Sequence, residues 1–171
     1  RLLLRRVRDN ELFEFITVRD PTVRALKLAN NELDFAQGSM SPELVEWLAK
    51  QPDIAVLESA GTTFSYLGFN LEDTTTQQQT VRLAISKAIN RKEIIEHIFA
   101  NKARLAEGIL IPEHWAGHPD LPATNYDPAL AKMLLAKAGY DSERPLTLTY
   151  KTSSDHFRQR IATAVSYTHL R

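Results

Sequence analysis

The stretch from Asn70 to Asn101 reads NLEDTTTQQQTVRLAISKAINRKEIIEHIFAN, and it constrains the fold of this chain more than any other segment. Val81, Ala84, Ile85, Ala88 and Ile89, followed by Ile94, Ile95, Ile98 and Phe99, recur every three to four residues. That is the period at which a helix buries one face. The spacing therefore predicts two amphipathic helices that meet at Asn90. Asn90 is placed to cap the second of them, with Glu93 three residues on, a capping-box arrangement that turns the chain without a loop. The pair is scaffold and carries no chemistry of its own.

Alternating elements flank the pair. A strand is expected near Phe13 to Val18, then a helix with Asp20 as N-cap and Pro21 at its first position. Leu33 to Ala36 reads as a strand, Ser41-Pro42 starts a second helix that Pro52 ends, and strands at Ile54 to Leu57 and Thr63 to Asn70 lead into the helix pair. Pro112, Pro119 and Pro122 crowd into one span of a chain with eight prolines, which makes Leu105 to Tyr126 an irregular connection. Asp127-Pro128 opens another helix, closed by Gly139 with Tyr140 beyond it. Leu146 to Tyr150 alternates as a strand, and Ser154 or Asp155 caps a helix with Phe157, Ile161 and Ala164 on one face. This order is that of an α/β lobe with helices packed on a mixed sheet.

Several function classes are excluded or disfavoured at once. Lys plus Arg and Asp plus Glu both number 21, so no net field draws the chain to nucleic acid or an anionic membrane. Arg1, Arg5, Arg6 and Arg8 form a local cluster, either a basic contact surface or solvated arginines on a strand or loop. Cysteine is absent, which removes disulfides, thiolate zinc sites and cysteine nucleophiles. No apolar run approaches the roughly 20 residues of a membrane span. There is no G-x-S-x-G elbow, no P-loop and no G-x-G-x-x-G, so no enzyme activity is expected. Glu72 and Asp73 sit ahead of a helix, where capping roles suffice. His114 and His118 stand four apart, as metal ligands on a helix would, but Gly117, Pro112 and Pro119 argue for a loop. Trp115 either stacks on a ligand or plugs the lobe surface. No cofactor and no metal are expected.

Five blocks together resemble one known family. Ile16 through Leu28 and on to Glu32-Leu33-Asp34 is similar to its strand, D-x-x-x-R-x-x-A-L helix and G-E-I-D strand, and Ser41-Pro42-Glu43-Leu44 through Pro52 to its next short helix. Thr63-Phe64-Ser65-Tyr66-Leu67-Gly68-Phe69-Asn70 resembles its Y-L-G-F-N strand. The helix pair itself follows, and Asn125-Tyr126-Asp127-Pro128 through Ala138-Gly139-Tyr140 resembles its Y-D-P-x-x-A-x-x-L-L-x-x-A-G-Y block. The family is that of the family-5 extracellular solute-binding proteins, the oligopeptide, dipeptide and nickel receptors of bacterial ABC importers. Asn30-Asn31 and Asn101 stand where the family usually has glycine, and asparagine tolerates the left-handed backbone required there.

The resemblance implies part of a two-lobed periplasmic-binding-protein type II fold, mainly one lobe, since family members are far longer than 171 residues. It implies capture of a short peptide between two lobes and its delivery to membrane permease subunits. The expected receptor is monomeric and either periplasmic or lipid-anchored at the cell surface. Nickel chelate, haem, a sugar or an opine remains open as the solute, as does a protein-interaction domain.

By the same resemblance two segments line the ligand. The first is Gln37-Gly38-Ser39, where Gln37 donates and accepts, Gly38 admits a ligand backbone and Ser39 offers a hydroxyl. A turn leading into the next helix is the alternative. The second is the Thr63 to Asn70 strand. There Tyr66 and Gly68 share a face with Phe64, and Thr63, Tyr66 and Gly68 are the candidates. The alternative is a strand covered on both faces, with Gly68 making room for a helix. Residues 1–164 form the expected partial lobe. Residues 165–171 are expected to be a non-native tail, because SYTHLR resembles translated sequencing-adaptor DNA, and no role is assigned to His169. With no initiating Met, the true start is expected to lie upstream.

Overall fold

The computed structural model describes residues 1–38 and 40–166. They divide into two compact units, Arg1–Glu58 and Ser59 onward. Ser39, His169 and the rest of the expected tail from Tyr167 lie outside the described residues.

The first unit opens with an antiparallel hairpin of β1 (Leu2–Arg5) and β2 (Leu12–Phe15), in which Leu2 faces Phe15 and Leu4 faces Phe13. Leu2, Leu4, Phe13 and Phe15 thus share one face, because alternate residues of a strand point the same way. Asn10 takes a left-handed φ of 62° to close the turn, and Asn10 N donates to Arg6 O at 2.9 Å. The arginine cluster is largely compensated within the hairpin: Arg1 pairs with Glu14, Arg6 with Asp9 and Glu11, and Arg8 with Asp9.

Two helices follow. In α1 (Pro21–Ala29) Asp20 Oδ1 accepts from Val23 N at 2.9 Å, and in α2 (Pro42–Ala49) Ser41 Oγ accepts from Leu44 N at 3.4 Å. The Asp20 cap and the Ser41-Pro42 start are the predicted ones, each helix with proline at the first turn, where its missing N–H costs nothing. Asn31, at φ 57°, ends α1 as a glycine would: its N–H donates to Leu28 O at 3.1 Å and Glu32 N donates to Lys27 O at 2.8 Å. The two helices pack together and bury Ala25 and Leu48.

The second unit is built on α3 (Gln79–Ala88), α4 (Arg91–Phe99), α5 (Pro128–Lys137) and α6 (His156–Ala164). Helix α3 packs on α5, and the buried positions Val81, Ala84, Ile85 and Ala131 are all at 3% exposure or less. Asp127 N donates to Lys87 O at 2.9 Å, while Tyr140 Oη reaches Thr75 Oγ1 at 3.4 Å. The start of α5 is thereby tied to the end of α3 and its end to the approach of α3, so the two run antiparallel. Helix α4 packs on α6 through an edge-to-face contact of Phe99 and Phe157, with ring centroids 5.1 Å apart. Asn90 Oδ1 accepts from Glu93 N as expected, and Asp155, of the two candidates, caps α6.

The α/β reading stands, as six helices and a small two-stranded sheet. The mixed sheet does not: among the described residues only β1 and β2 pair. Leu33–Ala36, Ile54–Leu57, Thr63–Asn70 and Leu146–Tyr150 carry the strand pattern but no ladder, and β2 stops at Phe15, short of Val18. A strand is completed by a neighbour that satisfies its N–H and C=O groups, and a period-two pattern specifies a face but not that neighbour.

Candidate ligand-binding segments

Gly38 has φ +65°, a left-handed conformation natural to glycine, and a Cβ placed on it would meet nothing within 4 Å. Gln37 and Gly38 are both exposed, on a bend that leads into α2. Within this chain the left-handed backbone alone calls for a glycine there. A separate shallow apolar hollow of about 230 Å³ lies in the same unit, lined by Thr22, Ala25, Leu26, Leu44 and Trp47. It includes none of the predicted site residues.

In the second unit, Thr63, Tyr66 and Gly68 lie on one irregular segment. Phe64, Ser65, Tyr66 and Gly68 are exposed, whereas Leu67 and Phe69 are half-buried, so the expected alternation holds from Tyr66 to Phe69 and breaks at Ser65, which period two places with Leu67 and Phe69. Within this chain Tyr66 is 79% exposed. The rings of Phe64 and Tyr66 stand 5.7 Å apart at 38°. A Cβ on Gly68 would come within 3.4 Å of Tyr66 Cε2, so the Tyr66 ring extends beside the bare glycine backbone. Among the described residues no backbone hydrogen bond engages residues 60–69. Two aromatic rings therefore stand beside main-chain groups that have no backbone partner among the described residues.

The loop that follows is tightly ordered. Asp73 Oδ1 accepts from Thr75 N at 2.9 Å and from Thr76 N at 3.0 Å, and these two backbone donors, Thr76 first, hold its carboxyl below the usual range. Asp73 thus closes a turn within the loop and does not cap α3, whose N-cap is Gln78 with no side-chain cap bond. Thr76 Oγ1 donates to Asn70 O at 2.5 Å, fixing the end of the 60–69 segment.

The histidines behave as loop residues. His114 Nδ1 accepts from Ala116 N at 3.1 Å and His118 Nδ1 from Asp120 N at 3.3 Å. Among the described residues no three His, Asp or Glu side chains are grouped to hold a metal. Trp115 is 91% exposed and plugs nothing in this chain; its ring lies 5.5 Å from that of His114.

Sequence reasoning missed the arginines that organise both units. Arg24 Nη1 donates to Val18 O and Arg19 O at 2.8 and 3.1 Å, and Arg82 Nη1 donates to Thr76 O and Gln77 O at 2.9 and 2.7 Å. Each reaches back to the carbonyls six and five residues earlier, fastening the incoming segment onto its helix. The repeated tripeptides Thr22-Val23-Arg24 and Thr80-Val81-Arg82 are the sequence trace of this device.

Residues 9–167 match the middle region of the bacterial extracellular solute-binding proteins, family 5. The chain belongs to that family. Among relatives, it is 30% identical over 140 residues to di/tripeptide-binding protein 1 of Pseudomonas aeruginosa, covering 82% of this chain and 26% of that protein. It is 32% identical over 123 residues to heme-binding protein A of Haemophilus influenzae, covering 72% of this chain and 22% of the relative. The crystal structure of NikZ from Campylobacter jejuni, in complex with Ni(L-His), superposes with a TM-score of 0.72 at 22% identity, over 86% of this chain and 31% of that one. At that identity the likeness establishes the periplasmic-binding-protein fold. The chain spans about a quarter of the length of the curated family-5 relatives that it matches.

Proposed function

We propose that this chain is part of the substrate-binding component of an ABC importer, which captures short peptides and delivers them to permease subunits in the membrane. The observation that carries this reading is the 60–69 segment, exposed and free of backbone pairing among the described residues, with Phe64 and Tyr66 beside Gly68. Di- and tripeptides offer the complementary main-chain groups, and a relative at 30% identity is named for binding them. Thr63, Tyr66 and Gly68, with Gln37, Gly38 and Ser39, are the residues proposed to line the ligand. The activity is binding without turnover. No cofactor takes part, and the receptor works as a monomer in the periplasm or anchored at the cell surface.

Haem is the second reading, because heme-binding protein A is as similar to this chain as the peptide receptor is. A thermal-shift screen of the whole receptor with di- to pentapeptides, haem and nickel-histidine separates the two, since a ligand of the folded form raises its melting temperature. A shift with peptides alone supports the proposal, and a shift with haem or nickel-histidine alone overturns it. Residues 1–164 are proposed as the native lobe portion and 165–171 as an appended tail. Deletion of residues 167–171, the part of that tail beyond the buried Val165, is then expected to leave the melting temperature of the chain unchanged.

A further inference from the structure

The connection between α4 and α5 runs through residues 100–127 with neither helix nor strand, which is long for a compact fold. It is gathered onto one side chain. Arg91, the first residue of α4, donates from Nη1 to Ala106 O at 3.0 Å. Its Nη2 donates to Glu107 Oε1 and Oε2 at 3.1 and 3.2 Å and to Thr124 O at 2.6 Å. Glu107 Oε2 also accepts from Thr124 N at 3.2 Å, so the two ends of the loop are closed through this pair. Arg91 and Glu107 keep only 29% and 22% side-chain exposure, which shields them from solvent screening.

Between those ends the chain is tied mainly to itself. His114 N donates to Ile111 O at 3.0 Å and Gly117 N to His114 O at 2.7 Å, a turn so tight that a Cβ on Gly117 would lie 2.1 Å from Ile111 O. Arg104 grips Glu113 with two hydrogen bonds, at 2.7 and 2.8 Å. Most of the large apolar residues of the loop stay outside: Ile109, Leu110, Trp115 and Leu121 are exposed, and Leu105 and Ile111 are only half-buried. Little apolar burial holds the loop down, in contrast to α3 and α5, whose facing residues are buried. Regions with few buried apolar contacts open at lower free energy than the core.

We propose that Arg91 and Glu107 form a latch, and that residues 105–124 detach from and return to the start of α4 as one unit while α3, α4 and α5 stay folded. Native-state hydrogen exchange on the 171-residue chain across low urea concentrations tests this. The Thr124 amide is expected to exchange through an opening that responds weakly to urea, and faster than the Ala84 and Ala131 amides. Arg91→Met should speed Thr124 exchange by about tenfold or more, the loss of charge-assisted hydrogen bonds, and leave Ala84 and Ala131 unchanged; Glu107→Gln should fall between. A single urea dependence shared by Thr124, Ala84 and Ala131 overturns the latch. So does an Arg91→Met chain in which Thr124 is unaffected or all three amides speed up alike. Should Arg91→Met fail to fold, the urea series on the unaltered chain decides alone.

Discussion

Asn31 and Asn101 have φ of 57° and 59°, and each stands where a glycine was expected. Their tolerance of a left-handed backbone was legible from residue type, because the short amide side chain is among the few that adopt it readily. Asn31→Val should cost about 1–2 kcal/mol, and Asn31→Gly almost nothing, as read by urea denaturation. The pair Arg104–Glu113 was not legible, since nothing in the spacing of two exposed residues announces a bidentate contact. The Arg104 guanidinium, and secondarily a backbone donor, holds the Glu113 carboxyl down to about 2, from an ordinary value of 4.5. The folded-state value is lowered, so the contribution of this pair is present above pH 4.5 and fades as pH falls toward about 2. A side-chain NMR titration should find the Glu113 midpoint near about 2, and Arg104→Met should return it toward 4.5.

Helices were legible where strands were not, and the reason is locality. A helix satisfies its own backbone and announces its ends, so caps at Asp20 and Asn90 and helix starts at Ser41-Pro42 and Asp127-Pro128 could be read in advance, and all four residues accept a capping hydrogen bond. A strand draws its hydrogen bonds from elsewhere in the chain, and the Leu146 to Tyr150 alternation, with Leu146 and Leu148 half-buried between exposed threonines, survives without any ladder. The core of the second unit follows the helical rule: Val81, Ala84 and Ile85, named from periodicity, are its most buried positions on α3. Ile85→Ala should cost about 2–5 kcal/mol, visible as a lower urea midpoint for this unit. Arg82→Met should act differently, loosening residues 76–77 at the approach to α3 while the α3 amides keep their protection from exchange.

At the scale of the molecule, family membership was legible from the order of five motifs, whereas the ligand was not, because those motifs are scaffold. The candidate residues were only partly so. Phe64, Tyr66 and Gly68 are exposed, but Gln37 and Gly38 belong to the first unit and Thr63, Tyr66 and Gly68 to the second. A chain spanning a quarter of its relatives' length should bind peptides far more weakly than the whole receptor, because binding in such proteins draws on both lobes. Calorimetry on both would refute this by returning equal affinities. The β1–β2 hairpin has a practical consequence here. Leu2, Leu4, Phe13 and Phe15 lie uncovered on one face, and each strand has just one neighbour among the described residues. Such a ribbon templates intermolecular stacking, so light scattering from concentrated solutions of the chain should rise with time, and Phe13→Lys should suppress that turbidity.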